Sequence, residues 1–203
     1  MNPHIRTCSV VLLWLAASLA ASGAAIAAEP SSNPTSIGFP AGGTILMKLD
    51  HGDMEVVGVP DDKITISWRA KSDRDEHAVS VKLQRSGPKE ASLSVQGPGD
   101  QVHYRIEVPR QSNVSIEMSA GELAVQGVTG SLSVEMMAGE MELRVADSSR
   151  YRNVRAAVLA GEITARPWKI DISGVGRSFK ASGDGEYDLR AELLAGQITI
   201  RSD

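Results

Sequence analysis

The sequence predicts an all-β fold, a right-handed β-solenoid of about 18 residues per rung with looser strands before it, and three observations carry that expectation. First, Val114-Ser-Ile116-Glu-Met118-Ser-Ala120-Gly121-Glu122-Leu123-Ala-Val125 recurs 18 residues later as Leu132-Ser-Val134-Glu-Met136-Met-Ala138-Gly139-Glu140-Met141-Glu-Leu143. Second, apolar residues stand seven, five, three and one positions before each glycine and two and four after it. That is the two-residue period of a half-buried strand, bent once at Gly. Third, two turns alternate, Ala-Gly-Glu at Gly121 and Gly139 and Gly127-Val-Thr-Gly130 midway between them. Stacking rungs so that Met118 meets Met136 and Ala120 meets Ala138 is what rewards a two-strand memory. An antiparallel β-sandwich or meander is the alternative.

Taken in order, the chain opens on a leader over residues 1–28. Arg6 is its single Lys or Arg and it carries no acid, Val10 to Leu19 is an apolar run, and Ala25-Ile26-Ala27-Ala28 offers small residues for cleavage. The run is too short to span a bilayer with margin, so the expectation is a cleaved secretory signal and no membrane span in the mature chain. Cys8 lies too early, behind Ile5-Arg6-Thr7, to serve as a lipobox. Cleavage would leave no cysteine, which excludes disulfides, thiolate catalysis and Cys-ligated metals. It would also leave 20 basic against 25 acidic residues, a net charge of −5, which argues against a nucleic-acid partner.

Residues 29–43, rich in Pro and Ser, read as a flexible lead-in, and residues 44–203 as a single β-repeat domain. The template first appears as Ile45, Met47, Leu49, His51, Gly52, Asp53, Met54 and Val56, with His51 where the other copies hold Ala. From Lys63 to Pro109 four looser alternating runs follow, around Ile64–Trp68, Val79–Leu83, Ala91–Val95 and Val102–Val108, joined by charged or Gly/Pro-bearing connections. No helical periodicity stands out. Further copies centre on Gly161 and Gly196. The glycines are thus spaced by 18, 22 and 35 residues from Gly121 onward. An insertion at Asp147 to Asn153 accounts for the 22, and the 35 reads as nearly two units, one of them degraded, around Trp168 to Gly185. Gly52, Gly121, Gly139, Gly161 and Gly196 are therefore the expected structural bends.

The strand Tyr104-Arg-Ile-Glu-Val-Pro109, followed by Ser-Val alternation and repeated Ala/Ser-Gly-Glu/Asp turns, resembles the bacterial β-strand-repeat, adhesin-labelled family known as toastrack. The resemblance covers residues 44–200. It implies a narrow right-handed β-helix in an envelope protein, with links to envelope-stress systems in some relatives. It implies no catalytic residue.

Candidate chemistry is sparse. Glu122, Glu140 and Glu162 hold the same place after the bend, with Gln197 in the last copy, so stacked rungs would set carboxylates about 4.8 Å apart. Such a surface ladder would favour a cation or a basic partner; otherwise these are solvated bend acids with Arg144, Arg155 and Arg166 as neighbours. Asp50-His51-Gly-Asp53 has ligand residue types without a distant fourth, and Gly183-Asp184-Gly-Glu186-Tyr-Asp188 lacks the nonapeptide repeat of calcium-binding β-rolls. Ser86-Gly-Pro-Lys89 spells a Ser-x-x-Lys motif, but Gly-Pro prevents the helix that would bring Lys to Ser. His51, His77 and His103 have no nucleophile context. Met47, Met54, Met118, Met136 and Met141 fall on inward positions and read as core. No metal and no cofactor is therefore expected. The expected function is that of an exported, periplasmic or secreted, non-enzymatic β-repeat protein, an interaction or structural module of the cell envelope. Its partner would be an envelope protein or a polysaccharide. The alternative is a carbohydrate-active β-helix enzyme, weakened by having only Trp68 and Trp168 to line a sugar groove.

Overall fold

The computed structural model describes residues 32–99 and 101–202. The expected leader, residues 1–28, lies outside them. The described residues form eleven strands: β1 (Thr35–Gly38), β2 (Thr44–Val59), β3 (Lys63–Ala70), β4 (Ser80–Gly87), β5 (Glu90–Gln96), β6 (Val102–Pro109), β7 (Asn113–Gln126), β8 (Leu132–Val145), β9 (Tyr151–Ala165), β10 (Ile170–Ser182) and β11 (Tyr187–Ser202). All belong to one mixed sheet ordered β1-β3-β6-β2-β7-β8-β11-β9-β10, with β5 pairing β2 and β4.

The long strands are folded over, and chain length shows why. Only residues 127–131 separate β7 from β8, yet the two run parallel and pair from Val114↔Leu132 to Val125↔Leu143. A straight 14-residue strand would span about 46 Å, and five linking residues reach only about 20 Å. The strand must therefore double back at Gly121, bringing its ends together. The Val114 N–H accordingly donates to the Ser131 carbonyl at 2.9 Å and Ser131 N–H to the Asn113 side chain at 2.9 Å. Each bent strand thus has a first limb before its glycine and a second limb after it.

The core lies between the limbs. Ile116, Met118, Leu123 and Val125, with Val134, Met136, Met141 and Leu143 beside them, are buried, as are Met47 and Met54. The residue just before the glycine departs from the expected alternation. Ala120 is half-buried and Ala138, Ala160 and Ala195 are exposed, because the left-handed backbone at the bend inverts the in-out order and leaves two successive residues outside.

Several expectations are refined or corrected. The fold is all-β as expected, and its one sheet is open and mixed, with parallel pairs of bent strands at its centre and antiparallel pairs toward its ends. The templated strands stack as β2-β7-β8-β11-β9, not in chain order: β11 enters between β8 and β9. The interval from Gly139 to Gly161, 22 residues against the 18 from Gly121 to Gly139 and including the 3-10 turn at Ser148–Arg150, carries the chain past one strand position, and the last strand fills the gap. The 35-residue interval is not two parallel units either. β10 runs antiparallel to β9, with Gly174 opposite Gly161, and Trp168 packs on Phe179 at 6.0 Å between ring centres. Finally, the lead-in is partly ordered structure: β1 pairs with β3 and Phe39 is buried. The charged loop at 72–77 contains a one-turn helix, Asp73–His77, whose Asp75 N–H is capped by the Ser72 hydroxyl at 3.2 Å.

Candidate functional site

The bend glycines form one column across the sheet. Gly52 pairs with Gly121, Gly121 with Gly139, Gly139 with Gly196, and Gly196 with Gly161. All five have positive φ, between 124° and 147°. A column of glycines sets every strand to turn at the same height, and this lines up the side chains on either side of it.

After the bend, the second limb presents the acids. Their order is Asp53, Glu122, Glu140, Gln197, Glu162. Glu122 and Glu140 are neighbours, but Gln197 separates Glu140 from Glu162, so the three glutamates are not one ladder. His103, opposite Asp53, closes the other end with its Nδ1 2.8 Å from the Asp53 carboxylate. Glu162 accepts from the Thr164 hydroxyl at 3.2 Å, whereas neither Glu122 nor Glu140 has a hydrogen-bond or ion-pair partner among the described residues. Asp53, Glu122, Glu140, Gln197 and Arg201 border a depression of about 200 Å³. Arg144 pairs with Glu142 at 2.8 Å and Arg155 with Glu192 at 3.3 Å.

The remaining candidates are dispersed. His51 lies on the bend against Asp50, at 2.7 Å, and His77 sits on the short helix with its Nδ1 on the Asp73 carbonyl. Asp188 is gripped by Arg152, Nε to Oδ1 at 3.0 Å and Nη2 to Oδ2 at 2.8 Å, with Asn153 donating at 2.7 Å. Those bonds, Arg152 foremost, hold its carboxyl down to about 2. Among the described residues no three His, Cys, Asp or Glu side chains converge as a metal would need. Tyr104 is fully buried with no partner for its hydroxyl, and burial, with the nearby Asp50 charge, pushes that hydroxyl up to about 12.

The outer face of the first limbs carries a feature the sequence reading missed. Leu194 lies between Met137 and Leu159, because Leu193 pairs with Met136 and Val158 while Ala195 pairs with Ala138 and Ala160. Val175, opposite Ala160, continues the line. These four side chains are 49–77% exposed and make an apolar stripe over β8, β11, β9 and β10. The copies on β2 and β7 have Asp50 and Ser119 there instead. A second column crosses the same face as Lys48, Glu117, Glu135 and Glu192, and a third as Arg190, Arg155 and Lys180. They are knitted by Arg190 to Glu192 at 2.9 Å and to Glu135 at 3.6 Å, and the Arg190 bond draws Glu192 below the usual carboxylate range. Met137, Leu159 and Leu194 of the stripe, with Lys48, Glu117, Glu135, Glu192 and Arg155, line a shallow groove of about 820 Å³. The signal was legible at one position: two residues before the glycine, the later copies read Met137, Leu159 and Leu194.

No helix among the described residues is long and apolar enough to cross a membrane. No family model matches the chain, and no curated protein matches it. A solved structure similar in fold, at TM-score 0.54 and 13% identity, covers 84% of this chain and 99% of its own; it is a proposed cell adhesion protein of Clostridium sporogenes.

Proposed function

We propose that this chain is an exported, non-enzymatic interaction or structural module of the bacterial cell envelope, periplasmic or secreted, and adhesin-like in its mode of action. The observation that carries the reading is the outer groove, where an exposed apolar stripe runs beside paired charge columns on the sheet. Exposed apolar strips bordered by polar residues are the mark of surfaces that bind other macromolecules. The likeness to a proposed cell adhesion protein supports the same class. The stacked bent strands act as a solenoid-like scaffold that presents the groove, and the apolar leader of residues 1–28 directs the chain out of the cytoplasm.

The test is retention of envelope components, both extracted proteins and purified polysaccharide, by the exported chain. We expect retention that falls on the order of tenfold in a Leu159→Glu/Leu194→Glu variant, since charges then replace the apolar anchors. Retention unaffected by that variant would remove the groove from the function. Turnover of a polysaccharide by the wild type would replace the module with an enzyme.

A further inference from the structure

The sheet ends at β10, which pairs with β9 and with no other strand among the described residues. This edge differs from the others. β1 has four residues and β4 carries a register break at Arg85/Gly87, whereas β10 offers 13 residues with no proline. A long edge blunted only by its charges leaves a row of backbone donors and acceptors open to a strand whose own charges complement them. The core is also thinly closed at this end. Ile170, Ile172 and Trp168 are only half-buried against it, and Val175, 77% exposed, brings the apolar stripe to the edge. Terminal repeats that end a stack normally turn a polar face outward.

From these features we infer that β10 is the interface through which two copies of this chain join end to end, antiparallel, about a two-fold axis at its bend. Three observations choose a second copy as the occupant. Every long strand in the sheet meets its neighbour glycine to glycine, so an added strand must bend at the height of Gly174, and another β10 does so. The antiparallel direction between two bent strands is already realised by β9 and β10. The charges also complement each other. Asp171 precedes the bend, and Arg177 and Lys180 follow it; pairing centred on the bend lays Asp171 of each copy alongside the Arg177–Lys180 run of the other, twice by symmetry. Asp171 and Lys180 are exposed and have no ion-pair partner among the described residues, and the Arg177 guanidinium bonds only the Ser173 carbonyl, at 2.9 Å.

The proposal stands independently of the envelope function. It is tested by sedimentation of the purified exported chain across a concentration series, with native mass spectrometry on mixtures. The wild type should dimerise. Asp171→Lys alone, and Arg177→Glu/Lys180→Glu alone, should each weaken self-association on the order of tenfold or more, since like charges then face each other at two symmetric places. Mixing the two variants should restore association as a heterodimer, which also shows that both are folded. Val175→Asp should weaken the dimer without lowering the melting temperature of the dilute monomer. A wild type that stays monomeric throughout, a dimer indifferent to all these substitutions, or folded charge variants that fail to associate on mixing would each overturn the proposal.

Discussion

Gly161 and Gly196 face each other on parallel strands so closely that a β-carbon on Gly161 would stand 1.8 Å from the Gly196 carbonyl oxygen. The same contact repeats along the column, at 1.9 Å from Gly196 to Gly139 and 2.0 Å from Gly139 to Gly121. Two requirements coincide here: a positive φ that L side chains resist, and a backbone approach that no side chain fits. Gly161→Ala or Gly139→Val should cost about 2–5 kcal/mol, combining backbone strain with overpacking. Gly42 also has positive φ but open space around it, so Gly42→Asn should be nearly silent. Urea unfolding of the three variants checks this; equal effects would refute the close-approach account.

The alternation within a limb gives a second test. Met136 is 4% exposed in the core while Glu135, next to it, faces out and touches Arg190 at 3.6 Å with both side chains about half exposed. Met136→Asp buries a charge without a partner and should cost roughly 3–5 kcal/mol. Glu135→Gln removes one surface ion pair and should change stability by at most about 1 kcal/mol. Comparable losses in thermal melting would contradict the register of β8.

Asp188 sets a pH dependence. Its folded-state carboxyl, held down to about 2 by Arg152 and then Asn153, lies below the ordinary 3.8, so the ionised form is the one the fold favours. A depressed carboxyl contributes stability that is complete above about pH 4 and is lost as pH falls toward 2. Asp188→Asn should therefore be less stable than wild type at neutral pH, with the difference shrinking between pH 4 and pH 2. The pair is exposed, so the effect is small. Denaturant midpoints measured across that range check it, and a difference that persists unchanged at pH 2 would assign the loss to something other than ionisation.

The acids beside the bend make a salt-dependent prediction. Glu122 adjoins both Asp53 and Glu140, while Glu162 is set apart from Glu140 by Gln197 and bonded by Thr164. Glu140→Gln should raise the melting temperature slightly near 10 mM salt and lose that gain by about 100 mM, where the Debye length has shortened to about 10 Å. Glu162→Gln should show no such gain. If the two variants respond alike, Gln197 does not interrupt the row.

Several features were readable from the residues alone because they depend on few neighbours. A glycine flanked by alternating apolar residues encodes a bent, half-buried strand by local sterics and burial, and Met118, Met136 and Met141 took inward places on that rule. The 18-residue copy likewise implied that β7 and β8 run parallel in register, since only identical bends can stack. Their acids after the bend, Glu122 and Glu140, consequently came out adjacent.

Strand order was decided by tertiary structure. Nothing near Leu189 to Ile200 tells that strand to enter between β8 and β9, because all the templated strands present the same bend and nearly the same inner face. The choice rests on which gap the longer Gly139–Gly161 interval leaves open, a non-local matter of chain length and closure. Everything that depends on order was hidden with it: Gln197 dividing the glutamates, Arg190 standing beside Arg155, and Leu194 joining Met137 to Leu159. The ends of the stack were equally out of reach. A strand pattern specifies which face is buried, but whether its edge is covered depends on what the rest of the chain has left to pair with it, and for β10 this chain supplies a neighbour on one side only among the described residues.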